Sequence, residues 1–119
     1  MTFLCYPKCT TCQKAQRYLD ARGVSYTLRD IKSDRPTRGE LEDWHARSGL
    51  PLRRFFNTSG LQYRALGLKD RLADMTQAEM LDLLATDGML VKRPLLVTDG
   101  RVLVGFREKE WAELLETLE

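Results

Sequence analysis

The sequence predicts an α/β domain in which a β-α-β opening and a β-β-α ending flank a run of helices. Short apolar runs rich in β-formers sit at both ends of the chain, as in "TFLCY" and "RPLLVTDGRVLVGF". Helical periodicity follows the first of these runs and returns at the C-terminus. Between about Asp34 and Asp87 there is no convincing strand and there are several helix starts.

The first strand, "TFLCY", is stopped by Pro7. From Thr10 or Thr11 the pattern turns helical: Cys12, Ala15 and Leu19 share one face beside Tyr18, and Gly23 is placed as the C-terminal cap. "VSYTLRD" then alternates Val24, Tyr26 and Leu28 with polar residues, the period-two signature of a second strand. In the middle segment, Thr37 with Glu40 and Thr76 with Glu79 match capping boxes, in which hydroxyl and carboxylate satisfy orphan N–H groups at a helix start. Leu41 with Trp44, and Met80 with Leu83 and Leu84, are the expected buried faces. Two further apolar runs are joined by Asp99-Gly100, a dipeptide suited to a type I′ hairpin. Trp111, Leu114, Leu115 and Leu118 recur at helical spacing and predict a closing helix. That order is the order of a thioredoxin-like fold with a helical insertion at about residues 34–87, between the halves of a mixed sheet. A chain of 119 residues suits one domain over residues 1–119.

Apolar residues make up 43% and charged residues 30%, with no repeat or low-complexity stretch, as in an ordinary globular protein. No run of ~18 apolar residues appears, and the N-terminus lacks a charged segment leading into a long apolar one, so neither membrane spanning nor secretion is expected. Three cysteines, all within the first twelve residues, cannot make a distributed disulfide framework and fit a reducing, cytoplasmic compartment. A net charge of +2 with both signs mixed along the chain gives no footprint for direct nucleic-acid binding.

Chemistry concentrates in "YPKCTTCQKAQRYLD". A structural zinc site needs four ligands, and beyond Cys9 and Cys12 the chain offers only Cys5 and the lone His45, so no metal is expected. A redox pair fits better. Cys9 falls where loop becomes helix, and unpaired N–H groups and the positive end of the helix dipole favour thiolate over thiol there. Cys12, one turn later, is placed to attack an oxidised or covalently bonded Cys9 sulfur and release it as a disulfide. Cys12 and Cys5 also fit a plain packing role, since free cysteine is among the most buried residue types; for Cys5 that is the reading taken. Lys8 and Lys14 are candidate sources of extra positive potential.

In "VKRPLLV", Pro94 is sterically acceptable at a strand start, and nothing local marks its peptide bond as cis. Arg93 and Arg107 bracket the hairpin; they are either two solvated side chains or, if the sheet brings them to Cys9, a fork for an oxyanion or a glutathione carboxylate. Thr11 in the cysteine loop and Pro94 beside Arg93 complete the candidate anion- and substrate-binding set.

With "YPKCTTC", "FFNTSGLQYRALGLKD", "MLVKRPLLV" and "VLVGFRE" in this order and at these distances, the chain resembles the arsenate reductase ArsC/Spx family over essentially its whole length. The resemblance implies a cis bond before Pro94, Cys9 as the nucleophile of a glutaredoxin-coupled reductase, and Arg93 and Arg107 as two of its oxyanion-binding arginines. The third arginine of that site falls on or beside Asn57, since Arg53 and Arg54 are not at the matched position, and Cys5 stands roughly where the reductases carry a histidine. Both departures weaken the hold on a doubly charged oxyanion, which needs charge-assisted partners. Cys12 instead resembles the redox-switch pair of the Spx regulators, which act through the carboxy-terminal domain of the RNA polymerase α-subunit.

Two functions are therefore expected. One is a monomeric thiol-disulfide reductase without bound cofactor, with Cys9 as nucleophile, Cys12 or glutathione as resolving thiol, and glutaredoxin or thioredoxin as reductant. The other is a redox-sensing regulator in which a Cys9–Cys12 disulfide alters a surface read by the polymerase α-subunit.

Overall fold

The computed structural model describes residues 1–118. Four short strands, β1 (Thr2–Cys5), β2 (Thr27–Asp30), β3 (Leu95–Val97) and β4 (Val102–Val104), form one sheet in the order β2-β1-β3-β4. β1 pairs parallel to β2 across helix α1 (Thr10–Ala21) and antiparallel to β3, which pairs antiparallel to β4. This mixed sheet is the thioredoxin-like core that the element order predicts.

Alternation along each strand divides the interior. Phe3, Cys5, Leu96 and Leu103 point to the face covered by α1 and α6 (Glu108–Thr117), where they pack on Cys12, Leu19, Trp111 and Leu115. Leu4, Leu95, Val102 and Val104 point to the other face, against the insertion. A one-residue slip would send each set into the wrong layer, so the register is strongly specified. The Trp111 indole N–H, buried in the first layer, is satisfied by the Gly105 carbonyl at 3.1 Å.

The insertion comprises α2 (Arg38–Ser48), α3 (Leu61–Ala65), α4 (Leu68–Arg71) and α5 (Gln77–Leu84), with 3-10 turns at Leu52–Phe55, Leu72–Asp74 and Gly88–Leu90. Both predicted capping boxes are present, on Thr37 with Glu40 and on Thr76 with Glu79. Its return to the sheet is stitched twice: Asn57 N–H donates to the Leu90 carbonyl and Lys92 N–H to the Phe55 carbonyl, both at 2.7 Å, around an isolated bridge between Phe56 and Val91. The α1 C-terminus matches expectation, with Gly23 at φ 67° and Val24 N–H returning to the Leu19 carbonyl.

Four details differ from the sequence reading. The second strand starts only at Thr27, and Leu28 is 54% exposed rather than inward, because β2 is an edge strand with neighbours on one side only. In α5, Leu81 and Leu84 carry the burial, while Met80 and Leu83 are half-covered flanks. The β3–β4 connection is a hairpin but not type I′, since neither Asp99 nor Gly100 has positive φ. It is instead fastened by Thr98, whose N–H and hydroxyl both reach the Arg101 carbonyl while its oxygen accepts from Arg101 N–H, and the Arg47 guanidinium donates to the Thr98 carbonyl from outside. Leu118 lies past the end of α6 and is 53% exposed.

Candidate functional site

Cys9 is the N-cap residue of α1, extended at φ −84° and ψ 123°, with no acidic residue in the helix's first turn to compete for its N–H groups. The loop that sets it is closed by Cys9 N–H donating to the Tyr6 carbonyl at 2.9 Å and by the Gln13 side chain donating to the Pro7 carbonyl at 2.9 Å. Burial by itself raises the Cys9 thiol. The Cys12 backbone N–H, the Cys12 thiol, the Arg93 guanidinium and the Thr11 N–H together outweigh burial, so Cys9 lies below the ordinary thiol value. This is the N-terminal activation expected from the sequence, with Arg93 added to it.

Cys12 has the opposite character. It is 1% exposed, and burial pushes its thiol up to about 12 even though the Tyr6 N–H donates to its sulfur at 3.4 Å. Negative charge on Cys9, and the hydrogen bond Cys12 donates to it, push in the same upward direction. Cys12 thus stays protonated and helps to lower the Cys9 thiol. Cys5 is buried on β1, its thiol raised first by burial and then by Asp30 and Cys9. All three cysteines are free. Lys8 and Lys14 are exposed and do not figure among the groups acting on Cys9.

Cys9 opens into a cavity of about 790 Å³ whose wall includes Thr11, Arg93 and Arg107. Three of the expected binding residues and Cys9 therefore share one space. Pro94 does not line it: the residue is buried behind Arg93, follows a cis peptide bond and gives its carbonyl to Gly105 N–H at 2.8 Å. Arg107 is the N-cap residue of α6 and is exposed at the rim. Arg93 sits deeper, its guanidinium carbon 5.4 Å from the Tyr6 ring centroid and Nη1 donating weakly to the Met89 carbonyl at 3.4 Å.

Sequence reasoning misses the other half of the wall. Arg53, Arg54 and Lys92 also line the cavity, which makes five cations with no Asp or Glu among the lining residues. Arg53 and Arg54 come from the Leu52–Phe55 turn, which the Lys92–Phe55 hydrogen bond joins to the segment leading into Arg93. The doubled arginine of "LRRFF", between apolar anchors, is a visible signal but shows no period pointing to Cys9. Asn57 is buried in the wall, where its side-chain oxygen accepts from the Ser59 hydroxyl at 3.2 Å. Gly60 permits this packing, because a Cβ there would lie 2.8 Å from the Asn57 amide nitrogen. A thiol lowered from its ordinary value at a helix N-terminus, in a cavity lined by cations, suits nucleophilic attack on an anionic or oxidised centre.

The fold is shared with known proteins. A crystal structure of an ArsC family related protein from Bacteroides fragilis superposes with a TM-score of 0.93 at 52% identity, covering 95% of each chain. A possible arsenate reductase from Streptococcus mutans superposes at 0.85 with 46% identity, covering 93% of this chain and 96% of that one. The regulatory protein MgsR of Bacillus subtilis is 29% identical over 96% of this chain and 89% of its own length. The model of the ArsC family matches residues 4–114, nearly the whole length, and the chain belongs to that family.

Proposed function

We propose that this protein is a cytoplasmic thiol-disulfide reductase of the ArsC type, with Cys9 as nucleophile and Cys12 as resolving thiol. The observation that carries the reading is the pairing of a Cys9 held below the ordinary thiol value with a buried, protonated Cys12, at a cavity whose charged lining residues are all cations. Cys9 thiolate attacks one sulfur of an oxidised substrate disulfide and expels the other as thiolate. The Cys12 sulfur, losing its proton, then attacks Cys9, forms the internal disulfide and releases the second half of the substrate. The substrate gains two electrons and the dithiol loses them; glutathione, glutaredoxin or thioredoxin returns them. Once Cys9 is covalently bonded its negative charge is gone, which removes one cause of the raised Cys12 thiol when Cys12 must react. With arsenate as substrate, Cys9 attacks arsenic with loss of water, and Arg93 and Arg107 hold the remaining oxygens.

The test is NADPH consumption coupled through glutathione reductase, glutathione and glutaredoxin, with arsenate and with a low-molecular-weight disulfide as substrates. Turnover with either one, abolished by Cys9→Ser, is expected; none with both removes the enzyme.

A second reading, a redox-sensing regulator acting through the carboxy-terminal domain of the RNA polymerase α-subunit, is favoured by the near full-length similarity to MgsR. It predicts binding to that domain that changes when Cys9 and Cys12 are oxidised. Lack of binding in both redox states would sink it.

A further inference from the structure

We propose that Tyr6 is a positioning residue whose aromatic face holds the Arg93 guanidinium at the Cys9 sulfur. The inference rests on the reductase reading and deepens it by naming what supports the group beside the thiolate.

Arg93 is loosely held in every other respect. Its Nη1 makes one long hydrogen bond to the Met89 carbonyl, its Nε is buried without a partner, and among the described residues no carboxylate pairs with it. Arg29 shows the contrast: it is fixed by Glu40 and Asp34 and hydrogen-bonded to two backbone carbonyls, which leaves it few donors for anything else. A carboxylate beside Arg93 would fix it equally well but would cancel its charge and consume its donors. The face of an aromatic ring attracts the same cation through its quadrupole and does neither.

Tyr6 is also tied to both cysteines. Its carbonyl accepts the Cys9 N–H at 2.9 Å and its N–H donates to the Cys12 sulfur at 3.4 Å. The ring is thereby referenced to the two sulfurs through its own main chain, and a guanidinium stacked on it shares that reference. The ring faces a second cation, Lys32, with Nζ 6.0 Å from the centroid. Among the described residues the Tyr6 hydroxyl makes no hydrogen bond, so the ring rather than the phenol does the positioning.

The decisive experiment replaces Tyr6 by phenylalanine and by mono-, di- and trifluorophenylalanine, which drain the π face at nearly constant volume. Cys9 is alkylated with neutral iodoacetamide and anionic iodoacetate, and the modified residue is assigned by peptide mass. The Phe variant is expected to match the parent protein. Successive fluorines are expected to lower the iodoacetate-to-iodoacetamide rate ratio stepwise, by about two- to fivefold at trifluoro, and to move the pH midpoint of alkylation upward. In an Arg93→Ala background the series should be flat. A flat series in the parent protein, or an equal slope without Arg93, overturns the proposal. Alkylation needs no substrate, so failure of turnover with a sloping series removes the reductase and leaves Tyr6 in its role, while a flat series with turnover intact does the reverse.

Discussion

Arg29 grips Glu40 with both arms, Nη1 to Oε2 at 2.6 Å and Nη2 to Oε1 at 2.9 Å, and so binds edge strand β2 to the first turn of α2. The same carboxylate closes the capping box on Thr37 N–H at 3.0 Å, and the guanidinium carbon lies 5.8 Å from the centroid of the Trp44 ring. The Arg29 hydrogen bonds, partly opposed by burial and helped by Thr37, hold the Glu40 carboxyl at about 2, below its ordinary 4.5. A carboxyl depressed on folding contributes stability that is complete above its unfolded value and fades as pH falls through the folded one. Glu40→Gln is therefore expected to cost about 1–2 kcal/mol at pH 7, solvent at the partly open side chain screening the pair. The difference from the parent should shrink steadily below pH 4.5 and be nearly gone at pH 2, as read by urea unfolding across that range.

Arg93 and Arg107 are not equivalent, because only Arg93 acts on the Cys9 sulfur while Arg107 stands exposed at the rim. Arg93→Ala should slow iodoacetamide alkylation of Cys9 at pH 7 about tenfold or more, the scale of one charge-assisted hydrogen bond, and raise its pH midpoint. Arg107→Ala should leave that midpoint in place and weaken only anionic substrates. Equal effects of the two on neutral alkylation would contradict the assignment.

The Cys12 thiol donates to Cys9, so its removal acts on a reaction in which it is not the nucleophile. Cys12→Ala should raise the Cys9 midpoint and slow alkylation at pH 7 about threefold, with Cys12→Ser in between because its hydroxyl still donates. After diamide, intact-mass spectrometry should find the parent about 2 Da lighter through a Cys9–Cys12 disulfide, and the Cys12 variants unable to form it.

Gly88 gives a purely steric prediction. A Cβ there would lie 1.7 Å from the Ile31 carbonyl oxygen, a collision with main chain that no rotamer relieves. Gly88→Ala should destabilise by about 3 kcal/mol, seen as a lower urea midpoint, by forcing apart the Gly88–Leu90 turn and the segment after β2.

How far the sequence is legible follows the range of the forces involved. The capping boxes on Thr37 and Thr76, the Gly23 cap and the Cys9 N-cap are readable because each is settled within a few residues. The turn at Asp99-Gly100 departs from type I′ because a distant Arg47 and the Thr98 hydroxyl hold a conformation the dipeptide alone does not favour. Leu28 misleads because period two marks a face without saying whether anything covers it. At the site, Cys9 and Cys12 announce themselves by spacing. Arg53, Arg54 and the Tyr6 ring reach Cys9 or Arg93 only through the tertiary fold, and no local pattern records that.

The paired hydrogen bonds around the Phe56–Val91 bridge have a further consequence for how such a protein diversifies. The Cys9 sulfur belongs to the β1–α1 loop, whereas the facing wall, from Arg53 to Gln62, belongs to a segment hydrogen-bonded through that seam to the stretch leading into β3. Residues on that wall can change without disturbing the layer that packs on α1. A substitution on that wall alters what meets Cys9 and leaves in place the Cys12, Arg93 and Thr11 groups that lower its thiol.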